Sequence, residues 1–101
     1  MNHVMDEIEA RAREQLHRMR ELGERMAAVR VRHTSEDGVI AVTVDGNGAL
    51  CDLEFTSAVA RYTPGEFERI LVATAGHAAA LAFTQRGDLV TAFNEESAGR
   101  T

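Results

Sequence analysis

The side chains best able to do chemistry in this sequence are arginines, and they are concentrated near its start. Residues 1–32 contain seven arginines and six acidic residues, whereas residues 33–101 contain four arginines and ten acidic residues. A guanidinium group binds phosphate oxygens through paired hydrogen bonds, so an arginine-rich helix could contact a phosphate backbone. The candidate phosphate-binding residues are Arg11, Arg13, Arg18, Arg20, Arg25, Arg30 and Arg32.

Four of these arginines have an acidic residue four positions earlier. The pairs are Glu7–Arg11, Glu9–Arg13, Glu14–Arg18 and Glu21–Arg25. Each such pair contributes about 0.2–0.5 kcal/mol to an isolated helix, so residue chemistry alone favours a solvated helix that carries its own ion pairs. Arg20, Arg30 and Arg32 have no acid at that position, which makes them the stronger candidates for contacts to an outside partner.

No other set of residues predicts a catalytic or metal-binding site. The four histidines are scattered and lack ligand spacing, and Asp45–Gly48 lacks the glutamate that closes a calcium loop. Asp52 and Glu54 are interpreted as solubilising, and Cys51 as a small buried hydrophobe. We therefore expect no catalytic residue, no metal and no cofactor; an enzyme would need an unexpected pocket that holds a carboxylate and His33.

The arginines would be positioned by a long first helix, predicted over residues 2–29. Its apolar residues recur at spacings of three and four, at Met5, Ile8, Ala12, Met19, Leu22, Met26 and Val29. So narrow a stripe is typical of a long, rather exposed helix that packs along one seam. We call this predicted helix the arm.

A three-stranded antiparallel sheet is predicted over residues 30–56. Alternating residues follow the arm, and two further alternating runs flank Asp45–Gly48, whose glycines and asparagine favour a tight hairpin turn. On the last strand Leu53 and Phe55 are expected to share an apolar face with Cys51. A hairpin is marginally stable alone, so helices or a second copy must cover the sheet.

A second helix is predicted over residues 64–86, beginning with a capping box at Thr63–Glu66. One face would cover the sheet, and a second apolar row on the other side would need a partner. We therefore expect a homodimer, with interface residues Val72, Gly76, Ala79, Phe83, Leu53 and Phe55. Residues 94–101 are predicted to be a flexible tail.

Length and composition fit one α+β domain of 101 residues. No apolar run approaches the roughly 18–20 residues of a membrane span, and the first residues lack the order of a secretory signal. We expect a cytoplasmic protein with no membrane partner. The net charge of −5 argues against constitutive, high-affinity binding of nucleic acid.

The order of these motifs resembles that of the YbaB/EbfC family of bacterial nucleoid-associated proteins. The resemblance covers about residues 4–85 and is carried by Val29, Val31, residues 38–46, residues 50–55 and the helix from Pro64. It implies an α-β-β-β-α subunit, a tweezer-like homodimer whose first helices are the arms, and non-enzymatic binding of duplex DNA with little sequence preference. The alternative is the same dimer scaffold binding a helical protein partner through its arms, with DNA binding lost.

Overall fold

Residues 3–99 are described by the computed structural model, in which a helix, a three-stranded antiparallel sheet and a second helix follow one another. The elements are α1 (His3–Ala27), β1 (Arg30–Thr34), β2 (Ile40–Asp45), β3 (Leu50–Phe55), a 3₁₀ helix (Ser57–Arg61) and α2 (Pro64–Ala98). The predicted α+β class and element order are therefore confirmed. Position 2 of the predicted arm and positions 100 and 101 of the predicted tail lie outside the described residues.

The sheet is centred on β2, which pairs with β1 on one side and with β3 on the other. Ile40, Val42 and Val44 alternate along β2 and have no exposed surface. They pack against Ala78 and Ala82 of α2, whose small side chains let the helix lie close to the sheet. Burial of this apolar surface, at about 25 cal/mol per Å², is the main stabilising contribution to the core.

The hairpin turn between β2 and β3 is held by one side chain. The Oδ1 atom of Asp45 accepts hydrogen bonds from the backbone N–H of Asn47 at 2.8 Å and of Ala49 at 3.0 Å. Gly48 has a φ of 79°, as the turn requires, but Asn47 and Gly46 do not adopt the positive φ that the sequence suggested. Gly46 serves another purpose: a Cβ atom there would lie 2.8 Å from the carbonyl oxygen of Met26.

The pairing of β2 with β3 contains an irregularity that the alternating sequence pattern did not predict. Thr43 lies opposite Asp52, but the next residue, Val44, lies opposite Leu50, so Cys51 is an extra residue in the strand. Because a bulge adds one residue to one strand, the residues before it lie on the opposite face of the sheet from the one that strict alternation would give them. The predicted burial of Cys51 is wrong, because its side chain is exposed.

The bulge brings Leu50 to the same side of the sheet as Leu53 and Phe55. This is the side covered by α2, but α2 lies over β1 and β2, and β3 is an edge strand. Leu50 and Phe55 are consequently exposed, and Leu53 is half-buried. The outer strand of the sheet therefore presents apolar side chains that nothing in this chain covers fully.

The start of α2 follows the sequence prediction, and its end does not. The Thr63 hydroxyl accepts from the backbone N–H of Glu66 while the Glu66 side chain accepts from the N–H of Thr63, which is the predicted capping box. The helix then continues past position 86 to Ala98. Residues 94–98 of the predicted flexible tail are thus helical.

The extension of α2 is stabilised by contact with α1. Leu22 of α1 lies beside Leu89 and Phe93 of α2, so the two helices run antiparallel beyond the sheet. Part of the apolar seam of the arm is covered in this way. The chain measures 75 × 19 × 16 Å, with a radius of gyration of 20.7 Å against about 13 Å for a compact domain of this length. No helix among residues 3–99 is both long and apolar enough to cross a membrane.

Candidate nucleic-acid interface

The arm helix α1 is a surface element along its whole length. None of its 25 residues is buried. Its last turn is closed by Arg30, which donates through Nη1 to the carbonyl oxygens of Ala27 at 3.1 Å and Val29 at 2.7 Å. The Ala27 carbonyl belongs to the last turn of α1 and has no partner within the helix, and a cation suits the negative end of the helix dipole. Arg30 therefore has a local structural role at the junction of arm and sheet.

Arg18 is turned inward, against the end of α2. Its Nη2 donates to the hydroxyl of Ser97 at 3.1 Å and lies 3.7 Å from a carboxylate oxygen of Glu96. The guanidinium carbon is 5.2 Å from the centre of the Phe93 ring, and the side chain is only 11% exposed. A cation is attracted to the face of an aromatic ring, and the carboxylate of Glu96 pairs with the same guanidinium group. Arg18 therefore stabilises the contact between α1 and α2. Arg18 is the least available of the seven predicted phosphate contacts.

The ion pairs expected at Glu7–Arg11, Glu9–Arg13 and Glu21–Arg25 do not form within residues 3–99. Glu21 instead lies 3.1 Å from the Nε2 atom of His17. Four arginines of the arm are exposed and make no ion pair inside this part of the chain: Arg11, Arg13, Arg20 and Arg25. The interpretation of the arm as a helix that neutralises its own charge is correspondingly weakened.

Two of these exposed arginines share the side of α1 that faces away from α2. Arg13 and Arg20 are seven residues apart, which places them on one face with a rise of about 10.5 Å between them. Arg18, which contacts α2, lies on the opposite face, about 200° around the helix axis from Arg20. Arg11 and Arg25 fall in the same row as Arg18. Arg13 and Arg20 are therefore the arginines most openly presented to solvent.

Arg32 has a partner that sequence spacing could not reveal. Its Nε and Nη2 atoms lie 3.1 and 2.7 Å from the same carboxylate oxygen of Glu54, which stands on β3. Both side chains are more than half exposed, so the pair contributes little to stability. The prediction that Arg32 is unpaired is wrong within the folded chain, although the weak surface pair leaves the guanidinium accessible.

One basic residue at the arm junction was missed by the sequence analysis. Arg86 of α2 donates through Nη1 to the carbonyl oxygen of Gly46 at 3.1 Å and to the side-chain oxygen of Asn47 at 3.3 Å. It lines an open groove of about 330 Å³ together with Arg30. Sequence spacing placed Arg86 at the end of a helix and far from the arm, so only the fold brings the two arginines together.

A second finding is that His33 and His77 are in contact. Their ring centres are 5.6 Å apart, with the rings nearly perpendicular. They line an open groove of about 340 Å³, whose rim includes Glu36 and Asp37. Among residues 3–99, no group of three or more potential ligands could hold a metal ion.

The Asp37 carboxylate in this groove is already engaged. It accepts hydrogen bonds from the hydroxyl of Ser35 at 2.6 Å and from the hydroxyl of Tyr62. These two bonds, with a third from the N–H of Val39, hold the pKa of Asp37 below its usual value. Partial burial and the neighbouring carboxylate raise the pKa of Tyr62 to about 12. A carboxylate held in its charged form by three donors is a turn constraint and a poor general acid.

The sequence matches a known protein family over most of its length. A model of the YbaB/EbfC DNA-binding family matches residues 1–95. The chain belongs to the YbaB/EbfC DNA-binding family. The match includes all seven arginines of the predicted site.

A solved structure shares the fold of this YbaB/EbfC protein. The crystal structure of the uncharacterized protein HP0035 from Helicobacter pylori is similar with a TM-score of 0.66 and 18% sequence identity, over 94% of this chain and 97% of that one. At this identity the likeness shows the fold alone. No protein with a curated function matches the sequence significantly.

This YbaB/EbfC chain also carries an exposed apolar face where the dimer interface was predicted. On α2, Val72 is 65% exposed and Phe83 is 53% exposed, while Gly76 is exposed and Ala79 half-buried. Gly48, in the turn before β3, comes within contact distance of Phe83, so this face of α2 is continuous with the hairpin. The homodimer stays a prediction, now with a contiguous surface to support it.

Proposed function

We propose that this YbaB/EbfC protein binds duplex DNA as a tweezer-like, nucleoid-associated homodimer in the cytoplasm, with its arms contacting phosphates. The observation that carries the proposal is the exposure of Arg13 and Arg20 on one face of α1 in a chain of a DNA-binding family. Contacts to phosphate carry no sequence information, so we expect little sequence preference. The role is structural and not enzymatic.

The arginines of the arm differ in their expected contributions. Arg13 and Arg20 are expected to contribute most to phosphate binding, because their side of α1 is open to solvent. Arg11, Arg25, Arg30 and Arg32 would add contacts nearer to α2 and the junction. Arg18 would act indirectly, by holding the arm against α2 through Phe93 and Ser97.

The uneven charge of the chain supports contact through the arms. Residues 33–101, which form the sheet and α2, contain four arginines and ten acidic residues. Repulsion between this part and a polyanion would keep DNA away from it, whereas residues 1–32, which form the arm and the start of β1, contain seven arginines and six acidic residues. Dimerisation would double the number of arms, so two weak sets of phosphate contacts would act together.

The dimer would form through α2 and the edge strand β3. Val72, Phe83 and Phe55 are each more than half exposed, an unfavourable arrangement for large apolar side chains in water. The small residues Gly76 and Ala79 between them would let two α2 helices approach closely. Sedimentation equilibrium at low protein concentration tests this step separately: the natural protein should have twice the mass of the chain, and Val72→Glu should give the monomer.

Salt-dependent DNA binding tests the role of the arms. Because phosphate binding releases counterions, the slope of log K against log salt should flatten by roughly 0.9 for each phosphate that is no longer bound, hence by roughly 3.6 if Arg13→Ala/Arg20→Ala frees two phosphates per subunit. The matched control is Arg61→Ala/Arg69→Ala, which removes the same charge from exposed residues outside the arm. Equal slopes for the two variants, or no binding by the natural protein at low salt, would refute the proposal.

The predicted helical protein partner also has structural support. The apolar stripe of α1 is only partly covered by α2, and Ile8, Leu16 and Met19 remain about half exposed. A helix could bind along such a stripe by inserting its own apolar side chains. Purification of the protein from its own cell extract, with and without nuclease, would show whether a protein is retained once DNA is destroyed.

A further inference from the structure

The exposed apolar stripe of α1 is symmetric about Ala12, and this symmetry indicates which kind of surface can bind to it. Ile8 and Leu16 lie four residues on either side of Ala12, and Met5 and Met19 lie seven residues on either side of it. On a helix with 100° per residue these five side chains fall within about 80° of one another, on a face separate from that of Arg18. The spacing of the apolar residues in the stripe is therefore the same in both directions along the helix.

The stripe is exposed in the folded chain, and most of it lies beyond the end of α2, because Arg18 already contacts Ser97 in the last turn of that helix. Ile8 is 55% exposed, Leu16 is 46% exposed and Met19 is 54% exposed. Ala12 at the centre is also exposed, and its small side chain would allow two helix backbones to approach closely. Three large exposed apolar residues on one helix face are typical of a surface that another helix covers.

Charges beside the stripe are complementary to the same stripe reversed. When two α1 helices lie antiparallel with the Ala12 residues opposed, Glu9 of one lies within two residues of the level of Arg13 on the other, and Asp6 within two residues of the level of Arg20. All four lie along the same edge of the stripe. Two-fold symmetry makes four ion pairs from these two. Arg13 on this edge and Arg11 on the other edge each approach their own copies, which offsets part of this gain.

We propose that α1 pairs antiparallel with α1 of a second copy of this chain, about a two-fold axis at Ala12. The pairing is additional to the proposed dimer through α2 and does not depend on DNA binding. It is weaker than that dimer, so it joins dimers only at higher protein concentration. It uses Arg13 and Arg20, so arm pairing and phosphate binding compete for the same guanidinium groups. In the absence of DNA the paired state covers the stripe and neutralises those two arginines.

Disulfide trapping tests the pairing and its direction. In a Cys51→Ser background without DNA, Ala12→Cys should cross-link to itself, with a yield at least tenfold above that of Ala10→Cys on the opposite face. Met5→Cys alone should not cross-link, because antiparallel pairing separates its two copies by about 21 Å along the axis. A mixture of Ile8→Cys and Leu16→Cys proteins should form the mixed disulfide.

A second pair of variants separates the stripe from the rest of α1. Added to the Ala12→Cys protein, Ile8→Gln/Leu16→Gln should lower the cross-linking yield at least tenfold, whereas Ala10→Gln/His17→Gln should leave it unchanged. Both changes keep the helix propensity high, and circular dichroism checks that the helices persist. The proposal would be overturned if Met5→Cys cross-linked to itself as efficiently as Ala12→Cys does. It would also be overturned if Ala12→Cys formed no cross-link to itself.

Discussion

The sheet with the first half of α2 and the arm with the second half of α2 are stabilised in different ways. Between sheet and helix, Ile40, Val42 and Val44 are completely buried and packed against alanines. In the arm no residue of α1 is buried, and the contact to α2 depends on a few side chains such as Arg18 and Phe93. We call the first region, residues 29–86, the body. The comparison indicates that the body specifies the fold and that the arm surface is free to serve binding.

The largest difference is expected from the same truncation made in each region. Ile40→Ala in the body removes a fully buried side chain and should lower the free energy of unfolding by about 2–5 kcal/mol. Ile8→Ala in the arm removes one that is 55% exposed and should change it by less than about 0.5 kcal/mol. Urea unfolding at low protein concentration measures both. Similar losses for the two variants would show that arm and body are equally packed.

Replacing one glycine by alanine at the joint and another inside the arm sharpens the comparison, because the two substitutions should change the free energy of unfolding in opposite directions. Gly46→Ala would place a methyl group 2.8 Å from the carbonyl oxygen of Met26, at the joint between body and arm, and should destabilise by about 1–3 kcal/mol. Gly23→Ala meets no atom within 4 Å and lies inside α1, so it should stabilise by up to about 1 kcal/mol. Thermal unfolding of both variants decides this. A destabilising Gly23→Ala would mean that the arm packs more closely than its exposure indicates.

The smallest effect concerns the pH dependence of the body. The Asp37 carboxylate has a lowered pKa, so its contribution to stability is present above the unfolded value near 3.8 and is lost as the pH falls through the folded pKa. Tyr62 has a raised pKa of about 12, so its contribution is present below pH 10 and is lost between pH 10 and 12. Tyr62→Phe should abolish the alkaline loss, as followed by urea unfolding across pH. If Tyr62→Phe left the alkaline loss of stability unchanged, that loss would not come from the Tyr62 hydroxyl and its bond to Asp37.

The body could be predicted from the sequence because local signals there agree with the tertiary structure. Alternation along residues 39–44, the turn residues at Asp45–Gly48 and the capping box at Thr63 each specify an element by nearby atoms alone. The bulge at Cys51 could not be predicted this way, since inserting a residue leaves composition and turn unchanged and only the pairing of Val44 with Leu50 reveals it.

The arm was harder to predict because its contacts are distant in sequence. Gly87 and Asp88 look like the end of a helix, yet α2 continues to Ala98, and its last turns contact Arg18 of α1 through Phe93 and Ser97. The partners of Arg18 and Arg32 lie 79 and 22 residues away, so neither pairing follows from helical spacing. The contact between His33 and His77 was missed for the same reason.

The close approach of Gly46 to Met26 places the pivot of the arm on the hairpin. The 25 residues of α1 extend about 37 Å, so a rotation of about 5° at that pivot would displace the tip by about 3 Å. A displacement of that size is enough to break a hydrogen bond between a guanidinium group and a phosphate. Substitutions at the pivot would therefore change how the far end of the arm is aimed.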